Sequence, residues 1–150
     1  MRADADDLDR VTPLFDAYRR FYGRRSSRSS VRRFLARRLE RQDSAIFYAE
    51  RGSHVVGFAQ LYPSFTSLSM APAWILNDLY VLPSERRTGV GTALLRESLL
   101  LAQRTRAREL TLETGRDNPA RHLYEAMGWV VDESFLHYRR RVLRSRAREG

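Results

Sequence analysis

The chain has 150 residues, 43% hydrophobic and 11% aromatic, the size and composition of one domain that can bury a real core. It contains no Cys, which excludes disulfides and thiolate metal sites and fits a cytoplasmic protein, and no apolar run approaches the ~20 residues of a membrane helix. The formal net charge is +9 and every one of the 27 basic residues is Arg. The start is Asp-rich (Asp4, Asp6, Asp7, Asp9), unlike a secretory or transit peptide. His54, His122 and His137 are scattered, with no metal-ligand spacing, so no metal site is expected.

Leu8, Val11, Phe15, Tyr18 and Tyr22 form one helical stripe that Gly23 ends, and Arg24–Ser30 reads as a polar loop. Val31, Phe34, Leu35 and Leu39 mark a second helix, with Arg32, Arg33, Arg37, Arg38 and Arg41 on its other face. Strand patterns follow at Ala45–Glu50, His54–Tyr62 and Trp74–Leu82, with Arg51–Gly52–Ser53 as a hairpin turn between the first two. A helix opens after Gly89 and runs to about Thr105, and Glu109–Thr114 alternates as a short strand. Asn118 reads as an N-cap and Pro119 as the start of a helix that Gly128 ends. Trp129–Val131 and Phe135–Arg141 are expected to close the chain as two more strands, and residues 142–150 as a basic flexible tail. The order is ααβββαβαββ in a single domain, an α/β arrangement around a mixed sheet.

The stretch Leu76 to Leu95, LNDLYVLPSERRTGVGTALL, runs from strand through a glycine-bearing loop into a helix. Open N–H groups at a helix N-terminus, with the helix dipole behind them, form an anion site. Gly89 and Gly91 let a phosphate approach the main chain. A P-loop is excluded because the chain has no Lys, and a dinucleotide fingerprint would want a small residue where Leu94 stands. The bland reading is that the two glycines only open a helix.

Arg86, Gly89 and Gly91 fit the spacing [RQ]-x-x-G-x-[GA], and residues 117–129 read DNPARHLYEAMGW. Both segments, in this order with a strand between them, resemble the GNAT N-acetyltransferase superfamily, closest to its histone/polyamine and diamine acetyltransferase branch. The resemblance covers the chain from its first helix to its last strand. It implies the GNAT acyl-CoA N-acyltransferase fold, (β)ααβββαβαββ, whose first strand is reduced or absent here because Met1–Ala5 is short and acidic. It also implies acetyl-CoA as co-substrate, held by Leu79, Tyr80, Val81, Arg86, Arg87, Thr88, Gly89, Val90, Gly91, Asn118 and Tyr124. By the same resemblance the backbone of Leu79–Val81 meets the pantetheine arm and polarises the acetyl carbonyl, Arg86–Gly91 holds the pyrophosphate, and the Tyr124 hydroxyl lies near the sulfur of CoA.

The implied reaction moves acetyl from acetyl-CoA to a primary amine by direct attack in a ternary complex. A lysine-like amine has a pKa of ~10.4, so only about one molecule in two thousand is neutral at pH 7 and some group must take its proton. Relatives read L-E-D where this chain reads Leu76–Asn77–Asp78, and Asn77 cannot serve as a base. Asp78 is the first candidate for holding the ammonium and relaying its proton, and Glu113 the second. Tyr124 is the expected donor to the leaving thiolate. Asp78 read alone is equally a structural hydrogen-bonding group, and Tyr124 a core position. Tyr62, Phe65 and Trp74 are either walls of an acceptor channel or core residues.

Expected partners are an amine (polyamine, small amine or protein amine), no membrane, and no nucleic acid; a homodimer is left open. Two other readings stay in view: a non-catalytic acyl-CoA-binding regulator, and a basic nucleic-acid- or protein-binding module. The charge bears on the second. Residues 19–41 hold ten Arg and one acid, whereas residues 42–138 carry −2, so the basic character is peripheral to the motifs.

Overall fold

The computed structural model describes residues 1–143. The element order is α1 (Leu8–Phe21), α2 (Arg28–Arg41), β1 (Ala45–Arg51), β2 (His54–Thr66), β3 (Ala71–Val81), α3 (Val90–Arg104), β4 (Glu109–Leu112) and α4 (Ala120–Ala126). The four strands lie in the order β1-β2-β3-β4. β1–β2 and β2–β3 pair antiparallel, and β3–β4 pair parallel through the α3 crossover. Among the described residues no helix is long and apolar enough to cross a membrane.

The helices lie in two layers. Leu8, Val11, Leu14 and Phe15 of α1 and Val31 and Leu35 of α2 pack with Ile46, Tyr48, Phe58 and Tyr80 on one face of the sheet. Val90, Leu94, Leu95 and Leu101 of α3 pack with Phe47, Ala59, Leu61 and Leu76 on the other. Period-2 alternation along β1 and β2 feeds both layers at once. Ser27 caps α2 by accepting from the Ser30 N–H at 3.2 Å, one turn earlier than the apolar stripe alone suggests. The expected reduced first strand is a single antiparallel bridge, Arg2 to Phe47, with the Ala3 N–H donating to the Ile46 carbonyl at 2.7 Å.

β2 and β3 run further than their sequence patterns indicate. Pro63 looks like a strand breaker, but β1 begins opposite Leu61, so Pro63 lies beyond its pairing, where β2 is already an edge. It pairs with Trp74 on the β3 side.

The two expected closing strands do not form. Residues 129–143 carry no strand, and Val130, Phe135, Leu136 and Tyr138 are largely exposed. β-branched and aromatic residues make a strand only where a neighbouring strand supplies pairing and a packed face, and among the described residues nothing pairs with this segment. Val142 and Leu143, at the start of the expected tail, are exposed; residues 144–150 of that tail lie outside the described residues.

Candidate active site

The site begins with a defect in the β2–β3 ladder. Leu61 pairs with Leu76 and Gln60 with Asp78, so Asn77 is an extra residue without a partner, a β-bulge. Regular alternation would aim Asp78 and Tyr80 at α3, as it does Leu76. The bulge turns both toward α1, and Tyr80 accordingly packs with Phe15 and Phe58.

On that face Asp78 is buried, with 7% of its surface exposed, and accepts three hydrogen bonds. Tyr18 Oη donates at 2.9 Å, Gln60 Nε2 at 3.0 Å and Asn77 Nδ2 at 3.1 Å. A carboxylate offers about four lone-pair sites, so one stays open. Gln60 is fully buried, and its Oε1 has no hydrogen-bond partner. Burial first, then the Asp78 charge, push the Tyr18 phenol far above its ordinary value. The same two causes push Tyr62 up to about 12. Both phenols therefore hold their protons at neutral pH.

Tyr124 of α4 packs against the α3-side core. Burial raises its pKa, with Tyr22 adding to the shift, and Tyr18 feels it in turn. Its ring packs on Trp129 at 6.2 Å, and among the described residues no hydrogen bond engages its hydroxyl. Glu113 lies elsewhere: it stands just past β4, 79% exposed, paired with His137 Nδ1 at 3.3 Å. Tyr62 joins the Asp78 face, two residues from Gln60. Phe65 is 81% exposed, and Trp74 packs on the α3 side with its Nε1 donating to Thr105 Oγ1 at 2.8 Å. These two rings do not wall an acceptor channel with Tyr62. The rings gathered near Asp78 are those of Tyr18, Phe21, Tyr22 and Tyr80, with Tyr18–Tyr22 centroids 5.2 Å apart and Phe21–Tyr80 centroids 5.8 Å apart.

The β3–β4 pairing stops at Leu76–Leu112, and β3 continues to Val81. From Asn77 to Val81 one edge of β3 therefore has no strand beside it among the described residues, and its alternate N–H and C=O groups are open apart from the Val81 carbonyl, which accepts from Arg86 Nε. Leu79 and Val81 turn their side chains toward the α3 layer and Tyr80 toward α1. Such an edge can pair with any extended amide chain.

The strand leads into the loop before α3. Gly89 is the N-cap residue, at φ +90°, a conformation that glycine adopts without strain, and no side chain caps α3. The first-turn N–H groups, including those of Val90 and Gly91, therefore lack intrahelical partners. Nothing lies within 4 Å of where a Gly89 Cβ would stand. A Cβ on Gly91 would meet Leu123 Cδ2 at 3.0 Å, so this glycine also lets α4 dock on α3. Gly57 was missed in the sequence: its Cβ would meet Val90 Cγ1 at 2.7 Å, so its bare backbone lets the α3 N-terminus settle onto β2. A lone Gly inside a strand pattern is the available signal for such an approach.

Arg86 does not project freely into the loop. Its Nε donates to the Val81 carbonyl at 3.2 Å, and its guanidinium lies over the Phe21 ring at 5.2 Å. Arg87 is exposed at φ +62°. The Thr88 hydroxyl donates to the Glu85 carbonyl, and Glu85 pairs with Arg51 at 2.7 Å, which ties the loop to the β1–β2 turn. Asn118 Oδ1 accepts from the Ala120 N–H at 3.0 Å, so it organises the start of α4 while the helix itself begins one residue after Pro119.

An open strand edge, an uncapped helix N-terminus and a buried carboxylate thus converge where β3 and β4 part. The family model described as Acetyltransferase (GNAT) family matches residues 11–129. The chain belongs to the GNAT acetyltransferase family. It is 42% identical over 138 residues to the uncharacterized N-acetyltransferase YhfO of Bacillus subtilis (strain 168), covering 91% of this chain and 93% of that protein. A crystal structure of a probable acetyltransferase superposes with a TM-score of 0.90 at 39% identity, covering 97% and 98% of the two chains. A predicted acetyltransferase of Clostridium acetobutylicum, solved with acetyl-CoA, shares the fold at a TM-score of 0.75 and 15% identity, covering 93% and 94%.

Proposed function

We propose that the protein transfers the acetyl group of acetyl-CoA to a primary amine by direct attack in a ternary complex. The observation that carries this reading is the junction of the open Asn77–Val81 edge with the uncapped α3 N-terminus, at the side of a buried carboxylate. The edge suits the amides of a pantetheine arm, and the α3 N-terminus with Thr88–Gly91 suits a pyrophosphate. Arg86 and Arg87 add positive charge. A structure of the same fold holding acetyl-CoA supports that choice of donor.

Acetyl-CoA brings an acyl carbon already activated as a thioester. The chain's contribution is placement, charge and proton movement. Holding the amine in line with the thioester carbonyl removes much of the entropic barrier. A backbone N–H of the β3 edge supplies an oxyanion donor. Asp78 uses its open lone-pair site to hold the incoming ammonium and pass one proton toward solvent, while Tyr18, Gln60 and Asn77 fix its orientation. The ring faces of Tyr18, Tyr22 and Tyr80 favour a cation at this position. As the C–N bond forms and the C–S bond breaks, the neutral Tyr124 phenol protonates the departing sulfur. It is reprotonated from the nitrogen of the new amide, so the proton count closes.

The test is thiol release from acetyl-CoA across a panel of polyamines, aminoglycosides, small amines and peptides, with the product identified by mass. Amine-dependent release with matching acetylated product is the expected result. Tight binding of acetyl-CoA with no release on any amine would leave a non-catalytic acyl-CoA-binding protein.

A further inference from the structure

The Arg-rich segment follows directly on the Tyr18–Tyr22 end of α1. α1 ends at Phe21, and Tyr18 and Tyr22 belong to the Asp78–Tyr124 cluster. Arg24 and Arg25 follow Tyr22 at once, in a loop drawn back to α1 by Arg19 Nη1 on Ser26 Oγ at 3.2 Å. α2 then crosses α1, with Arg32 on Asp9 at 2.7 Å and the Phe34 and Phe15 centroids 6.3 Å apart. At its far end Arg38 pairs with Asp43 at 3.0 Å, just before Ala45, which pairs with Leu61 between Gln60 and Tyr62. Both ends of α2 therefore border the cluster.

Among the described residues only Arg20, Arg32 and Arg38 of this segment have acidic partners, which are Asp16, Asp9 and Asp43. Arg24, Arg25, Arg28, Arg33, Arg37 and Arg41 have none and are exposed. Arg33, Arg37 and Arg41 follow one another at i, i+4, so they share one side of α2, where like charges repel. The first turn of α2 contains no acid. This arrangement weakens the helix, and among the described residues the only hydrogen bond these six side chains make is Arg33 Nη2 to Ser30 Oγ at 3.4 Å.

We propose that this surface selects the acceptor: a polypeptide whose free amine is followed within about six residues by Asp or Glu. The inference rests on the acetyltransferase reading above. The 14 residues of α2 span roughly 20 Å at 1.5 Å per residue, which an extended peptide covers in about six residues. A small amine cannot reach along that length. A polyamine or aminoglycoside meets like charge along this surface. A nucleic acid matches the charge but brings no aliphatic amine for Asp78.

The test uses synthetic peptides of equal length, each with one free amine, followed by acidic, neutral or basic residues. An exposed charge contact is worth about a two-fold effect, so three or four give roughly a ten-fold preference in kcat/KM for the acidic peptide at low salt. The preference should shrink at high salt. It should also fall toward unity in an Arg24→Gln/Arg25→Gln/Arg28→Gln triple and in an Arg33→Gln/Arg37→Gln/Arg41→Gln triple. Acetyl-CoA affinity by calorimetry serves as the check that both triples fold. Equal or lower kcat/KM for the acidic peptide overturns the inference. So does binding of duplex RNA or DNA with a steep salt slope when acidic peptides gain nothing. If no amine releases thiol, the acetyl-transfer reading falls by itself. Anisotropy of a labelled acidic peptide against its neutral counterpart then still decides the surface.

Discussion

Replacing Asp78 by Asn removes one charge and almost no volume. The wild-type carboxylate accepts from Gln60 and Asn77 on Oδ2 and from Tyr18 on Oδ1. An Asn can keep its carbonyl oxygen where Oδ2 was, facing the two amide donors. Its NH₂ then faces the Tyr18 oxygen, which can turn to accept. Three charge-assisted bonds become neutral ones at a cost of about 1–3 kcal/mol, so the variant should fold and bind acetyl-CoA. Turnover should fall by ~10² or more at pH 7, the usual effect of losing a proton acceptor. Between pH 7 and pH 9 the neutral fraction of a lysine-like amine rises about 100-fold. The variant should recover by nearly that factor, and wild type by much less. The assay is a pH–rate profile of both proteins on one amine, with urea denaturation alongside. Superimposable profiles would remove Asp78 from the mechanism; a constant offset at every pH would assign it a structural role.

Tyr124→Phe keeps the packing on Trp129 and removes an otherwise unengaged hydroxyl; turnover should drop ~10²-fold with acetyl-CoA affinity held, measured by steady-state kinetics and calorimetry. Gly89→Trp meets open space, so the main cost to folding is the positive φ, about 1–2 kcal/mol; calorimetry should show loss of CoA binding in a folded protein. Tyr62 is held above its ordinary value, which means that folding favours its neutral form. The unfolded chain loses this proton first, so stability should decline as the pH rises above about 10 and through the folded value of about 12. Tyr62→Phe should flatten that part of an alkaline stability curve, and an unchanged curve would contradict the placement of the phenol.

The strongly periodic elements were legible without coordinates. The α1 stripe, the Arg51–Ser53 turn, the glycine loop and the α4 segment depend on local spacing, and local spacing is what a sequence displays. The bulge at Asn77 was not legible, because it exists only as a mismatch between two strands. For that reason Tyr18 and Gln60 read as a core stripe and a strand residue rather than as the partners of Asp78. Gly91 reads as a candidate cofactor glycine in the sequence, but its contact with Leu123 needs two helices in place. Trp129–Val131 and Phe135–Arg141 have strand composition without a strand partner, and composition cannot supply one. Arg86 stood at the motif position, while its seat on Phe21 depends on how α1 ends.

The most direct measurement combines an initial-rate grid over acetyl-CoA and amine with the intact mass of the protein after acetyl-CoA alone. Direct attack in a ternary complex predicts intersecting double-reciprocal lines and no acetyl group on the protein. Parallel lines with an acetylated protein would contradict it and require a covalent intermediate on the enzyme.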